Sequence, residues 1–195
     1  MRIKTITANV YGEEGIFDAY QYDQTDIPRY QKKFETWRSL RNFCIEDGDR
    51  APNIPESISE VIYCILTGSL RFKSAKKLVD QSFDLFELEV EKTLQMKAAQ
   101  IKSDLTTFGP KSKWDKLIFM DFYNDGNIDG TIDIYDIPTD LVHKVVVCKH
   151  DKKTKEKDIT FLHRQETGKR PRFSIKNKII IPNSIEPMYK KIKLW

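Results

Sequence analysis

The sequence predicts an α/β fold in which α-helices flank a mixed central β-sheet. Two segments within the first 66 residues place apolar side chains at helical spacing, whereas residues 82–137 consist mainly of short apolar runs separated by turn signals. The chain has 195 residues, which is enough for one well-packed core, and it contains neither an internal repeat nor a linker of biased composition. We therefore expect a single domain over residues 1–195.

The first 50 residues are predicted to form an N-terminal region that is helical or an arm. Residues 1–20 contain a short apolar alternation and two glycines, which fit either a strand or an irregular arm. A helix begins near Asp26-Ile27-Pro28, because proline is favoured in the first turn, and continues through apolar positions from 30 to 43. A charged loop with glycine and proline follows at 46–53.

A central region, residues 54–137, begins with a helix and a hairpin. The helix runs from Pro55 to Leu66 with one apolar face, and Gly68 ends it. Residues 70–80 form a lysine-rich strand or turn. A β-hairpin is then expected from about Ser82 to Ala99.

A second hairpin is predicted after a loop at residues 101–113. The apolar run Trp114–Tyr123 suits a buried strand, Asn124–Asn127 is a strong turn signal, and Gly130–Ile137 alternates as the returning strand. The acidic residues of Asp125–Gly130 lack the closing glutamate of a calcium-binding loop. Turn chemistry therefore explains them better than a calcium site does.

A basic C-terminal region, residues 138–195, is predicted to contain short elements joined by charged loops. The elements are a short helix or strand at 138–148, an exposed loop at 149–158, a basic turn at 164–171, and strands at 173–175 and 179–181. Residues 141–195 carry a net charge of +10, whereas residues 1–140 carry −6. This asymmetry fits a polyanion-binding face beside an acidic body, and a solvated lysine-rich surface is the alternative interpretation.

The composition indicates a cytoplasmic protein and argues against several classes of site. No apolar run approaches the ~20 residues of a membrane span, and the start of the chain lacks the apolar core of a signal peptide. The three cysteines are far apart and odd in number, which indicates reduced thiols. The three histidines lack the spacing of a zinc site, and neither a serine–histidine–aspartate pattern nor a glycine-rich phosphate loop is present.

Asp84, Gln95 and Lys97 are the candidate site residues, at the ends of the two runs of the first predicted hairpin. Alternate residues of a strand share a face, so Gln95 and Lys97 point one way and Met96 points the other. If the runs pair, a carboxylate, an amide oxygen and an ammonium surround one point, which suits a hard divalent cation and a phosphate under attack. The alternative is that Asp84 closes a turn, Gln95 makes an edge contact and Lys97 reaches solvent.

Two further acidic residues, Glu56 and Glu60, lie four residues apart on one face of the second predicted helix. Both fit solvated side chains. The alternative is that one of them reaches into the candidate site as an additional acidic group.

A longer stretch of the sequence, from Gln95 to Phe122, has its most specific part between Phe108-Gly109-Pro110 and Trp114-Asp115. This stretch resembles a family of small bacterial type II restriction endonucleases that is similar to a branch of the PD-(D/E)XK nuclease superfamily. The resemblance implies that residues 54–137 are the catalytic core. Matches in the same order extend the resemblance over roughly residues 55–180; they are Pro55–Glu60, Asp129–Tyr135 and Gly168–Ser174.

The resemblance implies a restriction-endonuclease-like core and Mg²⁺-dependent, sequence-specific hydrolysis of double-stranded DNA that leaves 5′-phosphate ends. It implies that Asp84 is the first acid of the motif and Lys97 its lysine. Gln95 stands where aspartate or glutamate is usual, which removes one negative charge and suggests that Glu60, or alternatively Glu56, supplies another. The metal ligands implied are Asp84, Gln95, Glu60 and the backbone carbonyl of Met96.

The resemblance also implies partners for the protein. Six residues are candidates for contacts with DNA: Lys111, Ser112, Lys113, Lys169, Arg170 and Arg172. Cutting both strands of a symmetric site implies a homodimer, and a restriction–modification system implies a cognate DNA methyltransferase that is not a physical partner. The alternatives are a nicking, repair or modification-dependent nuclease, one subunit of a heterodimeric cutter, or a DNA-binding protein without catalytic activity.

Overall fold

The computed structural model describes residues 1–77, 82–150, 155, 157–193 and 195, without the side chain of Lys77. In chain order the strands are β1 (Arg2–Val10), β2 (Glu13–Gln21), β3 (Leu70–Lys77), β4 (Leu85–Glu87), β5 (Lys92–Ala99), β6 (Thr106–Thr107), β7 (Lys116–Asp121), β8 (Ile132–Ile137), β9 (Val146–His150), β10 (Lys157–Thr160), β11 (Arg172–Phe173) and β12 (Tyr189–Ile192). The α-helices of the described chain are α1 (Ile27–Glu46), α2 (Glu56–Thr67), α3 (Thr139–Lys144) and α4 (Phe161–Glu166). None of these helices is long and apolar enough to cross a lipid bilayer.

A central sheet of eight strands organises the fold and confirms the predicted α/β class. Its order is β1-β2-β3-β4-β5-β7-β8-β12. The pairing of β5 with β7 is parallel and the other pairings are antiparallel, so the sheet is mixed. Parallel neighbours cannot be joined by a tight turn, and residues 100–115 therefore form a crossover between β5 and β7.

Hydrophobic cores cover both faces of the sheet. On one face, Phe34 of α1 and Ile62 of α2 pack in a cluster with Leu94 and Met96 of β5. On the other face, Leu117 and Phe119 of β7 pack with residues of the crossover and the C-terminal region, such as Phe108, Phe161 and Phe173. Since β5 and β7 lie between these two layers, side chains at the ends of these strands are shielded from bulk water.

The predicted helices and hairpins are present. α1 and α2 cover the predicted helical segments, and Gly68 ends α2 in the left-handed conformation with φ +77°. The first predicted hairpin is the antiparallel pair β4–β5, and the second is the antiparallel pair β7–β8. Residues 1–20 form two long strands of the central sheet, which excludes the irregular arm that was the other interpretation.

The predictions for the C-terminal region need four corrections. The strand predicted at 173–175 is instead β11 (Arg172–Phe173), and Ile175 already has helical backbone angles. The segment 179–181 is not a strand, because residues Lys176–Ile180 form a π-helical turn that buries Ile179 and Ile180 in the core. The basic turn predicted at 164–171 starts inside α4, which continues to Glu166. The loop predicted at 149–158 is shorter than expected, because β9 and β10 extend into it; residues 151–154 and 156 lie outside the described residues.

Asp104 explains why a helical turn replaces the predicted strand. This buried carboxylate accepts hydrogen bonds from the backbone N–H of Ile175 at 2.7 Å and of Lys176 at 3.2 Å, and from the Ser174 hydroxyl at 2.6 Å. It also accepts one from the Thr106 hydroxyl at 3.3 Å. A carboxylate at the start of a helical turn satisfies donors that have no partner within the turn.

The isosteric variant Asp104→Asn is expected to lower the free energy of unfolding by about 2 kcal/mol, because one amide NH₂ would then face donors in a buried site. Urea unfolding monitored by tryptophan fluorescence measures the change. Asp49→Asn, in the exposed loop after α1, is the matched control and should leave stability unchanged. Equal stability of the two variants would contradict this role of Asp104.

Candidate active site

Asp84 is fixed at the start of β4 by backbone and side-chain hydrogen bonds. Its backbone N–H donates to the carbonyl of Leu94 at 2.9 Å, and its carbonyl accepts from the N–H of Phe72 at 2.9 Å. The carboxylate oxygen Oδ2 accepts from the N–H of Met96 at 2.7 Å and from the side-chain amide of Gln95. The hairpin thus brings Asp84 beside Gln95, as the sequence predicted.

Gln95 and Lys97 lie on the face of β5 opposite to Met96. Met96 packs with α2 in the core, whereas Lys97 Nζ lies 5.4 Å from the centre of the Phe108 ring in the opposite layer. Lys97 is half-buried, and its positive charge contributes to lowering the pKa of Asp84. The Asp84 carboxylate and the Gln95 amide are therefore in direct contact beside the middle of β5, and the Lys97 ammonium is near enough for its charge to act on the carboxylate.

Glu60, on α2, is the additional acidic group of the site. It is 5% exposed, and Arg71 of β3 forms an ion pair with it through Nε and Oε2. Burial raises the pKa of Glu60, and the Arg71 guanidinium opposes this rise. Glu56 lies one turn earlier and is exposed. Both glutamates line the same cavity, and the charge of each contributes to raising the pKa of Asp84.

The site carries more negative charge than its surroundings readily stabilise. The pKa of Asp84 is raised to about 7, first by burial and then by the charge of Glu60. The Met96 N–H and the Lys97 ammonium act in the opposite direction. Two carboxyl groups held together in this way favour either a retained proton or a bound cation at neutral pH.

The oxygen atoms around Asp84 suit a hard cation. Among the described residues, no group donates a hydrogen bond to Asp84 Oδ1 or to Gln95 Oε1. The carbonyls of Thr93 and Ala99 point towards β7. They accept hydrogen bonds from the backbone N–H groups of Asp115 and Phe122, at 3.0 and 2.8 Å. Because successive carbonyls of a strand point to opposite sides, that of Met96 points towards the side on which Asp84 lies.

This donor set differs from an all-acidic metal site. In the described part of the chain, no three histidine, cysteine, aspartate or glutamate side chains converge in a way that would hold a metal. Two carboxylates, an amide oxygen and a backbone carbonyl are nevertheless oxygen ligands of the type that Mg²⁺ prefers. The residues therefore fit this ion, with the amide of Gln95 replacing one of the usual charges.

A cavity of about 880 Å³ opens beside the buried carboxylates. Its lining includes Glu60 and Lys97 together with three residues of other segments, Arg50, Asn53 and Arg172. It is wide enough to admit a large polar substrate, and its rim carries both acidic and basic groups.

The two segments predicted to contact DNA lie side by side. The N–H of Phe108 donates to the carbonyl of Pro171 at 3.0 Å, and Gln165 of α4 donates to the carbonyls of Gly109 and Ser112 at 3.1 and 3.0 Å. Arg172, in β11, pairs with Thr107 of β6 and lines the cavity.

The other five predicted DNA-contacting residues lie in these same two segments. Lys111, Lys113, Lys169 and Arg170 are exposed, whereas Ser112 is half-buried. Lys113 also lies against the tip of the β1–β2 hairpin, where its Nζ is 4.2 Å from the centre of the Tyr11 ring. The six residues thus form one surface that continues into the cavity at Arg172.

Sequence reasoning missed Arg71 and Arg50. Arg71 lies between two apolar residues, Leu70 and Phe72, in a strand that follows the Glu60 helix. An arginine that points to the helix-covered face of a strand needs an acidic partner, and this signal would have suggested Glu60. Arg50 lies in an irregular loop, and no pattern in the sequence indicated that this loop would line the cavity.

Comparison with known proteins agrees with this geometry. Residues 22–182 match the model of a family described as Bsp6I restriction endonuclease. The type II restriction enzyme Bsp6I of Bacillus sp. (strain RFL6) is 26% identical over 178 residues, which cover 90% of this chain and 92% of that enzyme. No solved structure matches the chain.

Removing Arg71 should destabilise the fold, because the buried Glu60 carboxylate then lacks its cationic partner. We expect Arg71→Met to lower the free energy of unfolding at pH 8 by about 3 kcal/mol, because the variant leaves a buried carboxylate without its partner. The double variant Arg71→Met/Glu60→Gln should recover most of this loss, and chemical denaturation measures both. If the ion pair does not contribute to stability, Arg71→Met and the double variant will instead be equally stable.

The raised pKa of Asp84 predicts a specific dependence of stability on pH. The folded protein holds the Asp84 proton up to about pH 7, whereas the unfolded chain releases it near the ordinary value. The stability contributed by this group is therefore present at low pH and lost as pH rises through 7. Between pH 4.5 and 8, the free energy of unfolding of wild type should fall by on the order of 2 kcal/mol relative to that of Asp84→Asn.

Denaturant unfolding in the presence of a chelator at several pH values tests this prediction. Asp140→Asn, an exposed carboxylate of α3, is the control and should track wild type at every pH. A difference between wild type and Asp84→Asn that stays constant with pH would show that Asp84 ionises normally.

Proposed function

Because the chain belongs to the Bsp6I restriction endonuclease family, we propose that it is a type II restriction endonuclease. In this proposal it hydrolyses both strands of double-stranded DNA at a specific sequence, with Mg²⁺ as cofactor, and leaves 5′-phosphate ends. The observation that carries the proposal is the hydrogen-bonded pair of Asp84 and Gln95, whose carboxylate is acted on by the charges of Glu60 and Lys97, two residues that line a large cavity.

The residues of the site have separate roles in the proposed reaction. Asp84, Gln95, Glu60 and the Met96 carbonyl would hold Mg²⁺, which lowers the pKa of a bound water and stabilises charge on the phosphate. Asp84 would have to lose its proton to serve as a ligand, and its pKa of about 7 makes the deprotonated form accessible at neutral pH. Arg71 keeps one carboxylate oxygen of Glu60 occupied and so fixes the direction of the other.

Lys97 is the proposed group that stabilises charge during phosphate attack. Its ammonium lies over the Phe108 ring, and its charge acts on the Asp84 carboxylate. A fixed cation is most effective where negative charge develops on the attacked phosphate. Lys97 can also orient the attacking water through one of its three N–H donors.

The DNA would lie along the basic surface that continues into the cavity. Lys169, Arg170, Arg172 and the loop residues Lys111 and Lys113 would contact phosphates, and Ser112 offers a smaller polar contact. Cutting both strands of a symmetric site requires two copies of the active site, hence a homodimer. A cognate DNA methyltransferase would protect the host site without binding to this protein.

The variant Lys97→Ala is expected to lower the rate of cleavage of phage DNA by at least about 100-fold while DNA binding persists, because the lost charge acts on the attacked phosphate. Gel analysis of fragments formed with Mg²⁺, and with a chelator added, measures the effect. Lys190→Ala, an exposed lysine of β12, is the control and should cut as wild type does.

The pattern of products distinguishes the proposal from its alternatives. Discrete double-strand fragments that share one end sequence support a type II enzyme. Nicks alone would point to a nicking enzyme or a subunit of a heterodimer, and cleavage restricted to methylated DNA to a modification-dependent enzyme. Salt-sensitive binding to DNA without cleavage in the presence of any divalent metal would contradict the proposed enzymatic function.

A further inference from the structure

α1 presents an exposed stripe of side chains that the fold leaves uncovered. Tyr30, Phe34 and Trp37 bury the inner face of the helix. The stripe is formed by residues spaced alternately by four and three along the chain: Arg29, Lys33, Thr36, Leu40, Phe43 and Asp47. Spacing of this kind places side chains on one side of a helix and is typical of a helix that packs against another helix.

The centre of this stripe is apolar and in contact with solvent. Leu40 is 56% exposed and Phe43 is 63% exposed. Beside them lies a groove of about 490 Å³ whose lining includes Tyr30, Trp37 and Pro55. Lys33 donates to the Ser57 hydroxyl at 2.6 Å, so its ammonium is turned towards α2 and its methylene stem lies along the groove.

The charges of α1 run against the helix dipole. Arg29, Lys32 and Lys33 are basic and lie near the N-terminus, while Glu46 and Asp47 are acidic and lie at the C-terminus. The dipole favours the opposite arrangement, so these charges do not stabilise the isolated helix. An antiparallel copy of the same helix would place each basic end against an acidic end.

The stripe is self-complementary about a two-fold axis near residue 38. Antiparallel pairing about that point places Arg29 opposite Asp47, Lys33 opposite Phe43, and Thr36 opposite Leu40. Each Phe43 ring would thus enter the groove of the other copy between Lys33 and Trp37. Two-fold symmetry makes every contact occur twice, which is the property of an isologous interface.

We propose that the α1 stripe is the surface through which two copies of this chain associate. The proposal builds on the homodimer of the proposed function and names the surface that forms it. Asp47 lies about 14 Å along the helix from the axis, and the chain then passes directly into Arg50–Ile54, which line the active-site cavity. The two cavities would therefore lie on either side of the same axis.

Exchange of the two charged residues tests the register of the interface. Arg29→Glu and Asp47→Lys each create two repulsive pairs in a homodimer, and each should weaken self-association at least about tenfold. An equimolar mixture of the two variants should associate again, since both pairs then join opposite charges, and the double variant should do so alone. Sedimentation velocity of metal-free protein without DNA measures association.

Apolar variants test the centre of the same surface. Phe43→Ser should abolish association, while Val90→Ser, at a similarly exposed apolar residue after β4, should have no effect. A monomeric wild type, association of Phe43→Ser equal to that of wild type, or failure of the mixed charge variants to associate would overturn the proposal. Because no readout uses DNA or cleavage, its failure is distinct from failure of the nuclease function.

Discussion

The candidate site depends on the hydrogen bond from the backbone N–H of Met96 to the Asp84 carboxylate. Asp84 lies just before the first residue of β4. Its side chain supplies the acceptor that extends the hydrogen bonding of the β4–β5 hairpin to Met96. This hydrogen bond holds the carboxylate against the middle of β5, while the parallel partner β7 pairs with the other edge of that strand. Gln95 and Lys97 then take their positions from the alternation of the strand alone.

The electrostatic balance of the site gives a physical reason for the glutamine. Burial and the charge of Glu60 already raise the pKa of Asp84, and burial also raises the pKa of Glu60; Lys97 and Arg71 are cations that oppose these shifts. A third carboxylate at position 95 would add to the repulsion in a half-buried setting. The amide keeps an oxygen ligand, and its N–H binds Asp84 in the absence of a cation. Asp84 and Gln95 are therefore held together by their own hydrogen bond.

The sequence predicted the parts of the fold that local rules control. Three features depend only on a few neighbouring residues: the apolar spacing of α1 and α2, the glycine after α2, and the turn at Asn124–Asn127. The same rules failed at Ile179–Ile181, where Asp104, distant in the chain, supplies hydrogen bonds that favour a helical turn over a strand. Strand β12 was missed because its four residues have no distinct pattern.

The site itself was only partly visible in the sequence. Asp84, Gln95 and Lys97 were identified because strand alternation and a resemblance to nucleases both point to them. Arg71 was invisible to local reasoning, since its role arises from the packing of β3 beneath α2. The proximity of Arg172 to Lys97 likewise results from the pairing of β6 with β11, which joins segments 65 residues apart.

The crossover between β5 and β7 has a consequence for how such an enzyme can change. Phe108, in the middle of this crossover, touches the Lys97 ammonium, and its backbone holds the segment that ends at Arg172. One stretch of chain thus connects the proposed chemistry to the proposed reading surface. A substitution in this stretch that alters the surface near Arg172 therefore also alters the surroundings of Lys97, so the two regions are not independent modules.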